Sequence, residues 1–528
     1  YGDNAVGGVV NIITKQGTAG ISGKLSAYYG SYDSFGQDLQ VSGREKDLAF
    51  FFSAHHFDKR GYRRQSDEFY KNFNGRLDYD LNEALSFGIQ YGSYEDSYEL
   101  PGGLNAAELE TLGRRGSAGT ELGNIADTED QYVQAYVNFE PVFAETYIGR
   151  LEMDASWRDR ELFDTFDAFN LDTEREVETE GLAVKYIYDE EFYGRDVDFL
   201  MGFDKHRHSS FIQTNTPERL TISKDEYGFF TSLDLEVVDK LFFTGGHRYH
   251  KAQFTFDQQL PAPNFERQKP DVSVSTGGVR YEYAQGSNVF FKFEQSFRFL
   301  TPNEWYSSFT GLDTDLKQQR GRLYELGVKH NFADRALITM TPYWMETDKE
   351  IFYDPTDGLF GSNSNYDEIR RVGVELGSRI DIRSFFEDAA LLEQFDLLEC
   401  FANYTYQNPE FTTGSFDGNK VPWVPEHQAN MGLTARFNEY YRVTLIGRYI
   451  GSRYAINDQP NTLNKAKDYV VTDLKVSYER KNFEMFLAVN NLFDRKYNTY
   501  ESTNSSQSTR DFFPAAEKNF LAGVVIKF

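Results

Sequence analysis

The feature that most constrains this chain is a strict period of two that recurs along its length. In NFNGRLDYDL, residues 72–81, Phe73, Gly75, Leu77, Tyr79 and Leu81 alternate with Asn74, Arg76, Asp78 and Asp80. An extended chain carrying that pattern has one apolar face and one charged face. The same holds for YVVTDLKVSYE, 469–479, where Val470, Thr472, Leu474, Val476 and Tyr478 oppose Val471, Asp473, Lys475, Ser477 and Glu479. At the end of the chain Phe520, Ala522, Val524, Ile526 and Phe528 again share a face. About 22 such segments can be traced, most of roughly 9 to 14 residues.

A soluble sandwich also alternates, so the connections decide between classes. Short connections stand at 44–47, 81–84, 284–287, 332–335, 437–440 and 479–482. Long ones fall between them, near 97–128, 161–177, 252–270, 298–318, 408–423 and 491–516, with SYDS at 31–34 as a short exception among the long positions. Tight turns at one end and large loops at the other, with an even strand number, characterise a membrane-spanning barrel. A closed barrel pairs every backbone amide inside lipid, with apolar residues outward and Asp, Lys, Arg and Ser inward. The expected fold is therefore all-β, a transmembrane antiparallel β-barrel of about 22 strands, too wide to be filled by its own side chains.

Composition agrees. Aromatic residues are 16% of the chain, with 35 Tyr and 47 Phe against 14 Pro, a β-favouring balance. The net charge of -27 carries no Lys/Arg-rich block, which argues against nucleic acid as a partner. Cys400 is the only cysteine, so no internal disulfide or multi-cysteine metal site is available. No apolar run approaches the roughly 18 to 20 residues of a membrane helix. There is no nucleophile motif and no glycine-rich phosphate loop in a strand–turn–helix context, so the chain does not read as an enzyme and implies no cofactor.

The opening stretch, YGDNAVGGVVNIITKQG, places glycines before an apolar run, Val9 to Ile13, as a turn leading into a strand. It resembles the last part of the plug domain of TonB-dependent outer-membrane receptors, with Tyr1, Gly2, Ala5, Gly7, Gly8 and Asn11 carrying the likeness. Four later stretches are similar to the same family: QSFRFLTPNEWY at 295–306, RLYELGVKHNF at 322–332, DYVVTDLKVSYERKNFEMFLAVNNLFDRKYNTY at 468–500 and FPAAEKNFLAGVVIKF at 513–528. The departures are a residue inserted before Pro302, Trp305 where leucine is usual, and PAAEKN in place of the usual Pro-Gly-Arg. The resemblance implies two parts, 1–17 as the end of a plug and 18–528 as the barrel. It also implies a bacterial (Gram-negative) outer-membrane location, with the rest of the plug and a TonB-contacting box upstream.

The function implied by the resemblance is energised uptake of a scarce ligand, with TonB and its inner-membrane complex, outer-membrane lipid and the barrel-assembly machinery as partners. A ferric siderophore is the first expectation, cobalamin or another large cofactor the variant, and a passive channel or scaffold barrel the reading if the plug is absent. Heme receptors of the family usually carry a histidine between the two motifs at 295–306 and 322–332; none lies between Arg298 and Gly327. Aromatic and cationic loop residues suit planar rings and anionic oxygens, which makes Tyr98, Arg298, Trp305, Tyr306, Trp423 and Arg453 the candidate ligand contacts. Phe528 suits the terminal aromatic that barrel assembly reads, or simply the aromatic girdle. No metal site is assigned. His206 and His208, with His247 and His250, could hold one but also suit the wet end of a strand. Asp354, Asp357, Asp367 and Glu368, with Gly358 and Gly361, form an acidic loop whose spacing fits no defined calcium loop.

Overall fold

The computed structural model describes residues 3, 6–8, 14–118, 123–143, 146–333, 335–357, 361–385, 392–504 and 506–528. Its wall is a run of strands: β1 Gly20–Gly30, β2 Ser34–Glu45, β3 Leu48–Lys59, β4 Glu68–Asn82, β5 Leu85–Glu99, β6 Ile125–Phe139 and β7 Arg150–Phe166. There follow β8 Leu171–Phe192, β9 Arg195–Thr214, β10 Arg219–Val238, β11 Leu241–Leu260, β12 Asp271–Ala284, β13 Ser287–Arg298, β14 Gln319–Asn331 and β15 Ala336–Asp348. The circuit finishes with β16 Glu368–Asp381, β17 Phe395–Phe411, β18 His427–Phe437, β19 Tyr441–Ile450, β20 Tyr469–Arg480, β21 Phe483–Asn490 and β22 Asn519–Lys527. Each strand pairs antiparallel with the next, and β22 returns to β1 from Lys24↔Lys527 to Gly30↔Leu521, closing a barrel of 22 strands. One further strand, Asn264–Gln268, pairs with the upper part of β11 before the chain continues into β12.

Faces follow the alternation. Phe73, Leu77 and Tyr79 of β4 point outward at 38–41% exposure while Asp78 turns inward at 6%. Val470 and Val476 of β20 and Phe520 and Ile526 of β22 are likewise exposed. At the seam the ring of Phe528 lies over Gly23 of β1, where a side chain would meet it at 2.2 Å. The two residues also exchange backbone hydrogen bonds, 2.7 and 3.0 Å long.

The short connections all occur as expected, as does the tight turn at 31–33. Two expected loops do not. Residues 161–177 are mostly the ends of β7 and β8, paired up to Leu171↔Phe166 with only 167–170 as a turn. Residues 252–260 belong to β11. The strands here reach 20 to 22 residues, longer than the expected segments, and their outer ends carry charge on both faces. Arg160, Glu161, Asp164, Arg175 and Glu176 lose the one-sided alternation that lipid enforces, so a paired ladder in water has the composition of a loop.

Candidate functional site

Period-two phasing brings the inward residues of β9, β10 and β11 to one patch of the lumen wall. Asp204 accepts two hydrogen bonds from Arg248, 2.7 and 2.8 Å. The Arg248 Nε donates to His250 Nδ1 at 3.1 Å, leaving Nε2 as the ring's donor to Glu226 at 3.2 Å. Glu226 pairs with Lys224 at 2.9 Å, and Lys224 pairs with Asp3. The other oxygen of Asp3 accepts the Phe299 backbone N–H at 2.7 Å. Gly228 makes this chain possible, because a side chain there would lie 2.3 Å from Arg248 Nη2 and 2.9 Å from Asp204. His250 is 1% exposed. Buried charges are stable only when paired and hydrogen-bonded, and here each is.

The chain of charges therefore ends on the opening stretch of the sequence. Asp3 reaches the wall at β10, Val6 approaches β14 opposite Gly321, and Thr14 accepts from Arg76 of β4 at 2.6 Å. The described part of that stretch thus lies inside the lumen. Gly8 sits at φ 124°, a backbone open to glycine. Tyr1, Gly2, Ala5, Asn11 and the run Val9 to Ile13 lie outside the described residues.

Above the wall, loop 299–318 is built on its own core. The short helix α1, Pro302–Trp305, is held by Glu304, which accepts from the Thr301 N–H at 2.8 Å and from Arg298 at 2.7 and 2.9 Å. Trp305 is fully buried beside Phe254 and Phe256, with ring centroids 5.7 and 6.2 Å away, and Phe297, Phe299 and Leu316 belong to the same cluster. Tyr306 is 8% exposed against Phe256. Of the six candidate ligand contacts, Arg298, Trp305 and Tyr306 are thus gathered into one loop core. Trp423 and Arg453 meet elsewhere, the guanidinium 3.9 Å from the indole. Tyr98 stands apart on β5, lining a cavity of about 470 Å³ with Tyr62, Tyr70 and Tyr94.

His206 and His208 face a larger cavity of about 1060 Å³ beside Lys224 and Glu226. His247 lies on the other face of β11, bonded to Ser273 and Ser275. In the acidic loop, Asp354 accepts from Thr356, Asp357 from Ser362, and Asp367 pairs with Lys349 at 2.9 Å; Gly358 lies outside the described residues. No group of three or more metal-ligating side chains occurs among the described residues. The sequence reading missed Asp3, Lys224, Glu226 and Arg248. Their signal was charge at inward positions of three consecutive strands, which only the register brings together.

This geometry is a wide closed barrel with polar inner walls, a segment of chain inside it and folded loops at one end. Residues 17–492 match the family model described as TonB dependent receptor-like, beta-barrel. The pesticin receptor of Yersinia enterocolitica is 21% identical over 96% of this chain and 76% of its own length. Among solved structures, the unliganded ferric citrate transporter FecA superposes with a TM-score of 0.85 at 15% identity, over 100% of this chain and 82% of that one. The ferric yersiniabactin uptake receptor FyuA of Yersinia pestis gives 0.80 at 16%, over 100% and 83%. Proteins of this type are outer-membrane transport receptors rather than enzymes, and they bind ligands such as iron chelates and engage TonB. The chain belongs to the TonB-dependent receptors, whose β-barrel domain it forms.

Proposed function

We propose that this protein is an outer-membrane receptor that takes up an iron chelate, a ferric siderophore in the first instance, with energy delivered through TonB. The observation that carries the reading is the seat of Asp3: a buried ion pair and a backbone hydrogen bond fix the opening stretch to the wall and to loop 299–318. A lumen this wide conducts unless something occupies it. Residues 1–17 serve as the end of a plug and 18–528 as the barrel around it. Iron-chelate receptors stand among the relatives, which favours that ligand class over cobalamin. Tyr98, with its open tyrosine-lined cavity, and Arg453 are the ligand contacts of this reading, and Phe528 is its assembly signal.

The test is uptake of radiolabelled iron chelates by an iron-starved Gram-negative strain that lacks its own receptors and carries the gene. Uptake that needs both the gene and TonB is the expected result. Entry that persists without TonB would establish the passive-channel reading instead.

A further inference from the structure

Three loops at the long-loop end are locked to one another by backbone pairs. Leu104 and Phe512 exchange hydrogen bonds of 2.9 and 2.8 Å, joining loop 100–124 to the hairpin Asn498–Thr503/Arg510–Pro514. Ile456 donates to Glu501 at 2.9 Å and accepts from Thr503 at 3.0 Å, joining loop 451–468 to the same hairpin. Arg453 and Ala466 pair within loop 451–468. Between these loops lies a cavity of about 450 Å³, within the size range of small-ligand sites.

Its lining has a cationic excess, seven Lys and Arg against Asp468 and Glu501, in a chain whose net charge is -27. Arg114, Arg453, Lys465, Lys467 and Arg495 all border it, and none of them forms a salt bridge with another of the described residues. Two further cations there are neutralised, Arg510 by Glu501 at 2.9 Å and Lys496 by Glu517 at 3.8 Å. The arginines are held in place without losing their charge. Arg453 stacks on Trp423, lies 5.7 Å from the Tyr469 ring and is 5% exposed, with a 3.4 Å hydrogen bond to the Gly451 carbonyl and no acidic partner among the described residues. Arg495 donates to the Asp468 carbonyl at 3.2 Å, and Arg114 donates to the Tyr497 and Ala515 carbonyls and to the Asn498 side-chain oxygen, with the Tyr62 hydroxyl beside it. Lys465 lies over the Tyr454 ring. A buried guanidinium without a counter-ion is costly, and an entering carboxylate would supply one.

The geometry points to this cavity as the seat of a compact polyanion. On the iron-chelate reading above, on which this rests, the ligand is a net-negative chelate with free carboxylates rather than a neutral or cationic one. The rigid three-loop frame holds the cations in place before binding, so little ordering cost falls on the complex. Lys465 and Lys467 act at the rim, where they attract the anion over the Debye length.

The experiment is calorimetric titration of the detergent-solubilised full chain with iron(III) citrate, a neutral ferric trihydroxamate and metal-free pyrophosphate, at low and high salt. The first should bind, more weakly as salt rises. Lys465→Glu with Lys467→Glu should weaken it about 100-fold, and Arg453→Gln about tenfold, as expected for charge-assisted contacts. The paired lysine variant changes rim side chains only and keeps the test valid if Arg453→Gln disturbs Trp423. Equal binding of the neutral chelate, or indifference to charge reversal, would overturn the anion seat and leave iron uptake standing. Binding of pyrophosphate without either chelate would keep the seat and remove the iron reading. No binding of any probe would overturn the anion seat, and the uptake assay above then decides the iron reading by itself.

Discussion

Replacing Trp305 separates packing from recognition. A fully buried tryptophan removes on the order of 150–250 Å² from water, and truncating it to alanine costs about 3–5 kcal/mol. That cost falls on loop 299–318, whose core it forms with Phe254, Phe256, Phe297 and Phe299. At 1.4 kcal/mol per factor of ten, opening of the loop should become at least ~100-fold more frequent. Trp305→Phe should behave differently. Its Nε1 is buried with no hydrogen-bond partner, and removing such a donor recovers about 1–3 kcal/mol against the smaller area lost. Hydrogen exchange of the 299–318 amides in detergent measures both: alanine should lose protection by two orders of magnitude, and phenylalanine should stay within about tenfold of the parent. If alanine leaves protection unchanged, or phenylalanine is as damaging as alanine, Trp305 does not hold the loop together by packing.

The remaining predictions address the lumen, the seam, the rim and the whole barrel. Lys224→Met removes the cation that Glu226 and Asp3 share, a loss of up to about 3–5 kcal/mol for a buried pair, so a thiol placed by Gly7→Cys in a Cys400→Ser background should label faster; an unchanged rate would show that the Lys224 pair does not anchor the segment. Gly23→Leu must displace the Phe528 ring and should cost about 1 kcal/mol at the β1–β22 seam, read as a lower temperature for loss of the folded form in SDS. Burial holds the Glu218 carboxyl above its ordinary value despite hydrogen bonds from Ser308 and Thr214. Its folded state therefore favours the proton, so the contact between turn 215–218 and loop 299–318 is strongest below the unfolded value of 4.5 and weakens as pH rises through the higher folded value. Glu218→Gln should flatten that slope in hydrogen exchange, and an unaltered slope would refute the assignment. The folded protein should migrate faster than the heated one in SDS gels, and absence of that shift counts against a membrane barrel.

Much of the wall was legible in the sequence because lipid imposes one rule on every strand. Phe73, Leu77 and Tyr79 had to face it, and Asp78 could not. Where strands leave the membrane the rule lapses, which is why the ladder 161–177 reads as a loop. The candidate residues show a second limit. Arg298, Trp305 and Glu304 are near one another in sequence, so their grouping was visible, but the burial of Trp305 depends on Phe254 and Phe256, about fifty residues away on β11. Asp3 meets Lys224 across 221 positions, and no local pattern encodes that contact.

The closing register has a consequence for biogenesis. Lys24 pairs with Lys527, so the last ladder of the barrel joins its first strand to its last across the whole intervening sequence. Contacts of such sequence separation form late, since the intervening chain must be ordered before they repay it. Until β22 arrives, β1 offers an unpaired edge with Ile21, Leu25 and Tyr29 exposed beside it, a template for joining another chain. The nascent protein must therefore be shielded at its first strand for as long as the other twenty-one take to assemble.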